Sequence, residues 1–473
     1  MDLKRQIDAF KLLFSRCLNV AERDELLVIY DDSMDQFVDA FDSAVEAGLI
    51  SCTRVRIPKR YQEYLVSESK SHSNRGQISL PSGTVAAIQA STAIVNLLDG
   101  TSHNQPVRKA VNQTPRPNNC RLATIPGISE AILQALLDAP FDHILRACEE
   151  VAWALGEGSE AEIATVDSMG NQYLLTLKLG GWENEPIMSP GVLLPGSWGN
   201  VPPGETFCCP PHSTVNGSIC INGSVPRHVL EPGEEIILEF VNGKLIKWKA
   251  VNQGLSSPAL DFFEEQKRAG AANGDDNWNT FAELGIGLNP QITELTGNPL
   301  FDEKAIETLH IAIGDNAVFG DDISSFIHAD LITRRPSIRI DGIAFMDRGV
   351  IDHQGIQQRR TRRGSVRSAE ILDSVIHLRE GRIAQFGGTL MRRLSKAQRV
   401  NFVRIGSSDT IVPLTELCEN LRAHGRVHIA AFLKNYPTFG AIKTTDLLSI
   451  LYHYRVLGVQ ATSKLPQIAS GQH

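Results

Sequence analysis

The hydrophobic pattern of the chain changes near residue 160, and this change constrains the fold more than any other feature. Before it, short β-rich apolar runs such as 26–30 alternate with helical stretches. This alternation predicts a parallel sheet covered by helices. After it, short strands such as 163–166 and 173–179 are separated by turns containing Gly and Asn. We therefore expect an α/β N-terminal domain followed by an α+β, β-rich domain.

Three segments define the expected elements of the first domain. The apolar run 84–98 predicts one long helix, the polar segment 99–119 predicts a surface loop, and 129–155 predicts a helix that leads into the next domain. Asp31 and Asp32 follow the first strand, at the sheet edge where open α/β sheets bind ligands. A helix N-cap explains the same residues, and we favour the cap.

The composition allows two or three domains. We place them at 1–160, 161–358 and 359–473, the last being a linker with a small helical extension. The basic segment 359–365 could contact an acidic partner or be phosphorylated at Ser365, but a solvated linker is the simpler interpretation. Helical periodicity is present in three tail segments, which are 368–380, 414–423 and 446–456.

The charge of the chain argues against two classes of partner. With a formal net charge of −8 and a pI of about 5.9, the chain has no general cationic field for nucleic acid or an anionic membrane. No stretch approaches the roughly 18 apolar residues of a membrane span, and the start lacks the apolar run of a secretory signal. We therefore expect a cytoplasmic protein that binds neither nucleic acid nor membrane.

The eight cysteines lack the C-x-x-C spacing of a structural zinc site. Cys208, Cys209 and His212 lie in the segment C-C-P-P-H, which invites a zinc interpretation. Neighbouring cysteines point in different directions, however, and a closed zinc site needs four convergent ligands. We favour reduced, buried cysteines.

Four motifs of the β-rich domain each supply a residue type that binds metals. They contain Glu205 in P-G-E-T-F, Glu283 in A-E-L-G-I-G-L-N-P, His310 in L-H-I-A-I-G-D-N, and His328 with Asp330 in S-F-I-H-A-D. Carboxylates combined with imidazoles favour Zn, Mn, Co or Fe(II) over Mg and Ca. Residues two apart on a strand share a face, so the last pair can reach one ion.

Each of these residues also has an ordinary structural explanation. A single histidine on an apolar strand is commonly a hydrogen-bonded core residue, and a single glutamate is commonly on the surface. The glycines after Glu283 permit close backbone approach. Asp315 and Asn316, after the strand of His310, could support a ligating histidine through its second ring nitrogen.

At these motifs the sequence resembles the aminopeptidase T and aminopeptidase S family of cocatalytic metallopeptidases. The resemblance implies that all five residues are metal ligands and that Glu283 or Glu205 is also the catalytic base. The similarity is clearest over 164–347 and does not extend beyond about residue 360. It implies two divalent transition-metal ions (Zn, Co or Mn), a small peptide or amino-acid derivative as substrate, and a homodimer.

One position departs from the family pattern. Its peptidases carry a tyrosine seven residues after the histidine of H-x-A-x-G, where this chain has Ala317. The nearest aromatic residue, Phe319, has no hydroxyl. Loss of one hydrogen-bond donor to the transition state raises the activation free energy by roughly 3 to 4 kcal/mol, so we expect slow peptide hydrolysis.

Two further classes of function compete with the metalloaminopeptidase-like hydrolase. The metal domain also resembles the iron-dependent dioxygenase that opens dihydroxypyridine rings, and His310, His328 and Asp330 could form a mononuclear Fe(II) triad. The presence of Glu205 and Glu283 favours the hydrolase, whereas the missing tyrosine favours another reaction. A metal-free scaffold leaves five matched residue types unexplained.

Overall fold

The structure is a computed structural model of the 473-residue chain. It describes residues 1–71, 78–99, 105–117, 120–179, 186–193, 198–252, 258–319, 323–356 and, in the tail, 374–378, 420–421, 423–424, 427–439, 442–443 and 457–461. One compact unit comprises Met1–Leu193 and Trp198–Ile356. The basic segment 359–365 and the tail segment 446–456 lie outside the described residues.

The N-terminal part forms a parallel five-stranded sheet, as the alternating pattern predicts. Its strands lie in the order β2-β1-β3-β4-β8, and every neighbouring pair is parallel. The strands are β1 Glu25–Tyr30, β2 Ser51–Arg56, β3 Ala93–Leu97, β4 Arg121–Thr124 and β8 Trp198–Asn200. The helices are α1 Leu3–Leu12, α2 Val38–Ala47, α3 Lys59–Ser71, α4 Ser82–Ala90, α5 Gln105–Gln113, α6 Glu130–Leu137 and α7 Phe141–Glu157.

Three helix and loop predictions for this part are wrong. The run 84–98 is not one helix, because α4 ends at Ala90 and the wholly buried strand β3 begins at Ala93. In a continuous apolar run, periodicity alone does not distinguish a buried strand from a buried helix. The expected helix 129–155 is two helices, since Pro140 precedes α7 and cannot donate within a helix.

The third error is in the polar segment 99–119, which contains helix α5 instead of only a loop. Pro106 lies in its first turn, where the missing N–H costs nothing. Val107 and Val111, four residues apart, are fully buried on one face. The polar residues of the segment therefore occupy the other helix faces. Because polar residues are in the majority, the composition of the segment indicated a loop.

The middle part forms two antiparallel sheets, as the β-rich pattern predicts. Their orders are β14-β13-β10-β6-β5-β18-β19-β20 and β12-β11-β17-β16-β15-β9-β7. The first sheet contains β5 Glu160–Val166, β6 Gln172–Lys178, β10 Asn216–Ile221, β13 Ile236–Val241, β14 Lys244–Ala250, β18 Ser337–Ile340, β19 Ile343–Asp347 and β20 Val350–Ile351. The second contains β7 Ile187–Ser189, β9 Glu205–Cys208, β11 Ser224–Val225, β12 His228–Val229, β15 Phe281–Gly287, β16 Thr308–Gly314 and β17 His328–Arg334.

The two antiparallel sheets share one hydrophobic core with α7 and with helix α8, Pro258–Asn273. The second core, beneath the parallel sheet, also contains side chains from the middle part. Leu300 and Phe301 of the short helix α9, Pro299–Asp302, pack there. The α/β and β-rich parts are therefore joined by burial of apolar surface. The domain boundaries near 160 and 358 stay predictions.

In the tail, the described strands Ser374–Leu378, Val427–His428 and Leu457–Ala461 form a three-stranded antiparallel sheet. The segment 374–378 therefore corrects the helix expected at 368–380. A helix covers Ile429–Asn435, and residues 420, 421 and 423 of the expected helix 414–423 are helical. Across the described residues, no helix has the length and apolar character needed to cross a bilayer.

Candidate metal centre

Four neighbouring strands of the second antiparallel sheet carry the five candidate ligands. Glu205 begins β9, Glu283 lies in β15, His310 in β16, and His328 and Asp330 in β17. These strands are adjacent in the order β17-β16-β15-β9. The side chains are separated by up to 125 residues in sequence, and strand pairing brings them together.

The distances show two groups that share one carboxylate. The Nε2 atom of His310 lies 3.1 Å from Oε1 of Glu283 and 3.7 Å from Oε2 of Glu205. The Nε2 atom of His328 lies 3.6 Å from Oε2 of Glu283 and 3.3 Å from Oδ1 of Asp330. Glu283 therefore presents one oxygen to each histidine.

This donor set fits divalent metal ions. Within each of two groups, Glu205–Glu283–His310 and Glu283–His328–Asp330, the ligand atoms lie within 4.8 Å of one another. Oε2 of Glu283 and Oδ1 of Asp330 are buried and have no hydrogen-bond partner in the described part of the chain. A buried carboxylate oxygen without a partner is costly unless a cation compensates it. Which residues bind metal, and how many ions, stays a proposal.

Two glycines of β15 allow close approach of neighbouring groups, and one of them makes room for His310. Gly285 pairs with His310 across the sheet, and a Cβ at residue 285 would lie 2.1 Å from the Nε2 atom of His310. A Cβ at Gly287 would lie 1.9 Å from the carbonyl oxygen of Ala305. These glycines lie inside a strand, so they serve close approach rather than a turn.

The second ring nitrogen of His328 donates to the backbone carbonyl of Asp315 at 2.7 Å. This contact fixes the imidazole so that Nε2 faces Glu283 and Asp330. The support expected from Asp315 thus comes from its carbonyl oxygen. Its carboxylate instead pairs with Lys109 of α5 at 2.9 Å. The other residue of the pair, Asn316, is buried and donates to the carbonyl of Ala282 at 3.3 Å.

A fully buried lysine, which the sequence analysis did not single out, lies beside Glu205. Lys304 Nζ donates to Oε1 of Glu205 at 2.9 Å and also to Oε1 of Glu303. Burial raises the pKa of Glu303, and the charge of Glu205 raises it further, to well above the ordinary value. Lys304 holds one oxygen of Glu205 and leaves the other facing His310.

The charged groups of the centre shift one another's pKa values. Burial alone would lower the pKa of His328, but Asp330 and Glu283 raise it to about 10. Burial likewise opposes charge on His310, yet Glu283 and Glu205 raise its pKa to about 9. Burial would raise the pKa of Asp330, but the positive charge of His328 lowers it to about 2. The carboxylates therefore attract positive charge into the space between these side chains.

Helix α5, missed in the sequence, brings two cations to this centre. Lys109 is held by Asp315, as described above. The neighbouring Arg108 is partly exposed, and its Nε is enclosed and has no hydrogen-bond partner among the described residues. Burial lowers the pKa of Arg108, while the charges of Glu303 and Asp330 act to raise it. The sequence signal for this helix was the spacing of its buried valines.

An aromatic cluster lies next to His328. The ring of Phe319 contacts the His328 ring edge-to-face, with centroids 5.6 Å apart, and packs on Phe207 at 4.8 Å and Trp198 at 6.3 Å. Ala317, the position of the family tyrosine, is exposed. The aromatic side chain nearest to that position in sequence is thus in contact with the centre, but it carries no hydroxyl.

The remaining candidate residues lie outside the two metal-type groups. Cys208 and Cys209 are buried, His212 lies in a short 3-10 helix, and neither metal-type group described above includes them. The N-cap interpretation of Asp31 is confirmed, because its side chain accepts from the backbone N–H of Ser33 at 2.9 Å. Asp32 accepts from Arg56 and from the N–H of Lys59.

Comparison with known proteins shows the fold. No known family model matches the chain, and no curated protein matches it. The solved structure of 2,5-dihydroxypyridine dioxygenase from Pseudomonas putida aligns with a TM-score of 0.54 at 16% identity, covering 75% of this chain and 98% of that one. Wild-type AmpT (aminopeptidase T) from Thermus thermophilus aligns with a TM-score of 0.50 at 16% identity, covering 74% and 100%. Both names are those of enzymes, and at this identity the likeness establishes a shared fold alone.

Proposed function

We propose that the protein is a metal-dependent hydrolase, aminopeptidase-like, which removes an N-terminal amino acid or cleaves a small amide. The observation that carries this proposal is the position of Glu283 between two histidines. A carboxylate that offers one oxygen to each of two donor groups is suited to bridge two metal ions. The ligands would be Glu205, Glu283 and His310 for one ion, and Glu283, His328 and Asp330 for the other.

The residues of the centre would orient the ligands, offset charge and accept a proton. The carbonyl of Asp315 orients His328, and Lys304 orients Glu205 while offsetting part of the negative charge. Ions held by these residues would lower the pKa of a bound water and polarise the scissile carbonyl. We propose Glu283 or Glu205 as the catalytic base that accepts the proton of that water, in addition to its role as a metal ligand.

The oxidative alternative, a mononuclear Fe(II) ring-cleaving dioxygenase, is supported by the fold shared with the dihydroxypyridine dioxygenase. It would need His310, His328 and Asp330 to converge on one ion. In the described residues His310 groups with Glu205 and Glu283, whereas His328 and Asp330 form the other group. Neither group contains both histidines, and this grouping favours the hydrolase.

Metal stoichiometry of the full-length protein, purified without chelator and equilibrated with Zn or Mn, tests the proposal. We expect two ions per chain in the wild type, one in Glu205→Gln and one in Asp330→Asn, because each variant loses a ligand of one group. Glu283→Gln should bind neither ion firmly, since both groups share this side chain. His212→Ala is the control and should keep two.

Activity assays then separate the two reactions. We expect the metal-loaded protein to release amino acids from amino-acid amides without oxygen. One equivalent of iron, with oxygen consumption on 2,5-dihydroxypyridine and no amide hydrolysis, would instead establish the dioxygenase. A cytoplasmic location and a homodimer are also proposed, to be checked by fractionation and by light scattering.

A further inference from the structure

Arg108 differs from the other cations around the candidate metal centre. Lys304 pairs with Glu205 and Glu303, Lys109 with Asp315, and Lys59 of α3 with Asp99. Among the described residues, the guanidinium of Arg108 has no ion-pair partner of this kind, and its enclosed Nε has no hydrogen-bond acceptor. An enclosed N–H of a charged group is costly to leave without a partner.

The position of Arg108 is set by contacts on both sides of its helix. Lys109 ties α5 to Asp315, whose carbonyl holds His328. On the other side, Asn96 of β3 donates to the backbone carbonyl of Arg108 at 3.5 Å and to the side chain of Asn112 at 2.8 Å. The helix therefore has a fixed position between the parallel sheet and the centre, and Arg108 is partly open to solvent.

The net charge of the candidate metal centre indicates what Arg108 could bind. The centre contains the carboxylates of Glu205, Glu283 and Asp330, the carboxyl group of Glu303, whose raised pKa favours its neutral form, and two cations, Lys304 and Arg108. Two divalent ions would then leave an excess of about three positive charges. A hydroxide would offset one of them, and an anionic group on the substrate would offset another.

We propose that Arg108 binds a carboxylate of the substrate, so that the hydrolase acts on dipeptides and other small amides that carry a free carboxylate. This inference rests on the proposed function, because it assumes a substrate at the two-ion centre. Guanidinium groups bind carboxylates through paired N–H donors, and the two terminal nitrogens form such a pair while Nε stays enclosed. In a dipeptide the carboxylate lies one residue, roughly 3.8 Å, beyond the scissile amide.

Calorimetric binding to the metal-loaded, full-length protein tests this assignment without turnover. The probes are two analogues of leucylglycine in which CH₂ replaces the scissile carbonyl, one with a free C-terminal carboxylate and one with a C-terminal amide. We expect the free acid to bind about ten- to a hundredfold more tightly, as a charge-assisted hydrogen bond would give. A third probe, with glutamate first and a C-terminal amide, shows whether a side-chain carboxylate serves as well.

The variants are chosen from one segment of the chain. Arg108→Gln should remove the preference for the acid, and Arg108→Lys should keep part of it as a point charge. Arg116→Gln is the matched control, because Arg116 follows the same helix and donates to the carbonyl of Asn112. It should bind both analogues like the wild type.

The outcomes distinguish this inference from the proposed function. Wild-type protein that binds acid and amide equally would overturn the role of Arg108 alone, whereas wild-type protein that binds neither analogue would overturn the proposed function and this inference with it. The role of Arg108 would also be overturned if the Arg108→Gln protein, folded as judged by size-exclusion chromatography, kept the full preference for the acid. A clear preference without hydrolysis of leucylglycine would support the carboxylate site and refute the hydrolase.

Discussion

The lack of a side chain at residue 285 gives the His310 ring its place. The ring fills the space that a Cβ would occupy, so Gly285→Ala should displace it and lower metal binding. The crowding should also reduce the free energy of unfolding by about 1 to 3 kcal/mol. Metal analysis and denaturant unfolding of the same preparation measure both effects.

Gly83 offers a matched control for that substitution. It lies in α4, and a Cβ there would meet no atom within 4 Å. Gly83→Ala should therefore leave metal content unchanged and raise the free energy of unfolding by about 0.5 to 1 kcal/mol. If Gly285→Ala kept full metal content, the position of His310 would not depend on this close approach.

A hydroxyl added beside His328 should speed amide hydrolysis. Phe319 contacts the His328 ring, whereas Ala317 is exposed. Phe319→Tyr should consequently increase the rate on amino-acid p-nitroanilides more than Ala317→Tyr, by roughly tenfold or more if the hydroxyl reaches the developing charge. Steady-state kinetics at equal metal content make the comparison. A larger gain from Ala317→Tyr would show that the family position is the productive one.

Sequence reasoning reached the five candidate ligands because each lies in a local motif that resembles one of the aminopeptidase T and aminopeptidase S family. Strand periodicity alone paired only His328 with Asp330. It did not reach Lys304 or Arg108. A lysine or arginine in a mixed segment gives no sign of burial, and only the packing of the helices around the centre places these cations there. The error at residues 84–98 has a different cause, because a continuous apolar run fits a buried strand as well as a buried helix.

At the scale of elements, a buried ion pair joins the beginnings of three parallel strands. Arg121 of β4 lies 2.6 Å from Oδ1 of Asp24, which precedes β1, and also donates to the carbonyls of Thr92 and Asn19. Burial acts to raise the pKa of Asp24, but the hydrogen bond from Arg121 prevails and lowers it. Because the pKa is lowered by folding, this pair stabilises the fold above the ordinary pKa of aspartate and ceases to do so as pH falls through the lowered value.

Asp24→Asn tests that contribution. At pH 7 it should reduce the free energy of unfolding by about 1 to 3 kcal/mol, since it leaves the charge of Arg121 largely buried without a partner. The difference from the wild type should shrink as the pH falls below about 4. Urea unfolding at pH 7 and pH 3 provides the comparison. A difference that does not change with pH would mean that the carboxylate charge is not what stabilises the strands.

At the scale of the whole molecule, all five candidate ligands and the three hydrophobic clusters of the N-terminal and middle parts precede residue 357. A chain that ends after Ile356 should therefore fold and keep its metal. Size-exclusion chromatography and elemental analysis of this truncated protein, compared with the full chain, check the expectation. Aggregation or loss of metal on truncation would assign the tail to the catalytic body and contradict the boundary near residue 358.

The order of strands around the centre also has a consequence for synthesis of the chain. Helix α5 emerges from the ribosome before any candidate ligand, and Asp330, the last ligand, follows Glu205 by a long stretch of translation. Both groups include Glu283, so neither is assembled until β15 has paired with its neighbours on the nascent chain. Under the proposed function, ion capture is therefore expected late in biogenesis, after the residues of the parallel sheet and of α5 have been synthesised.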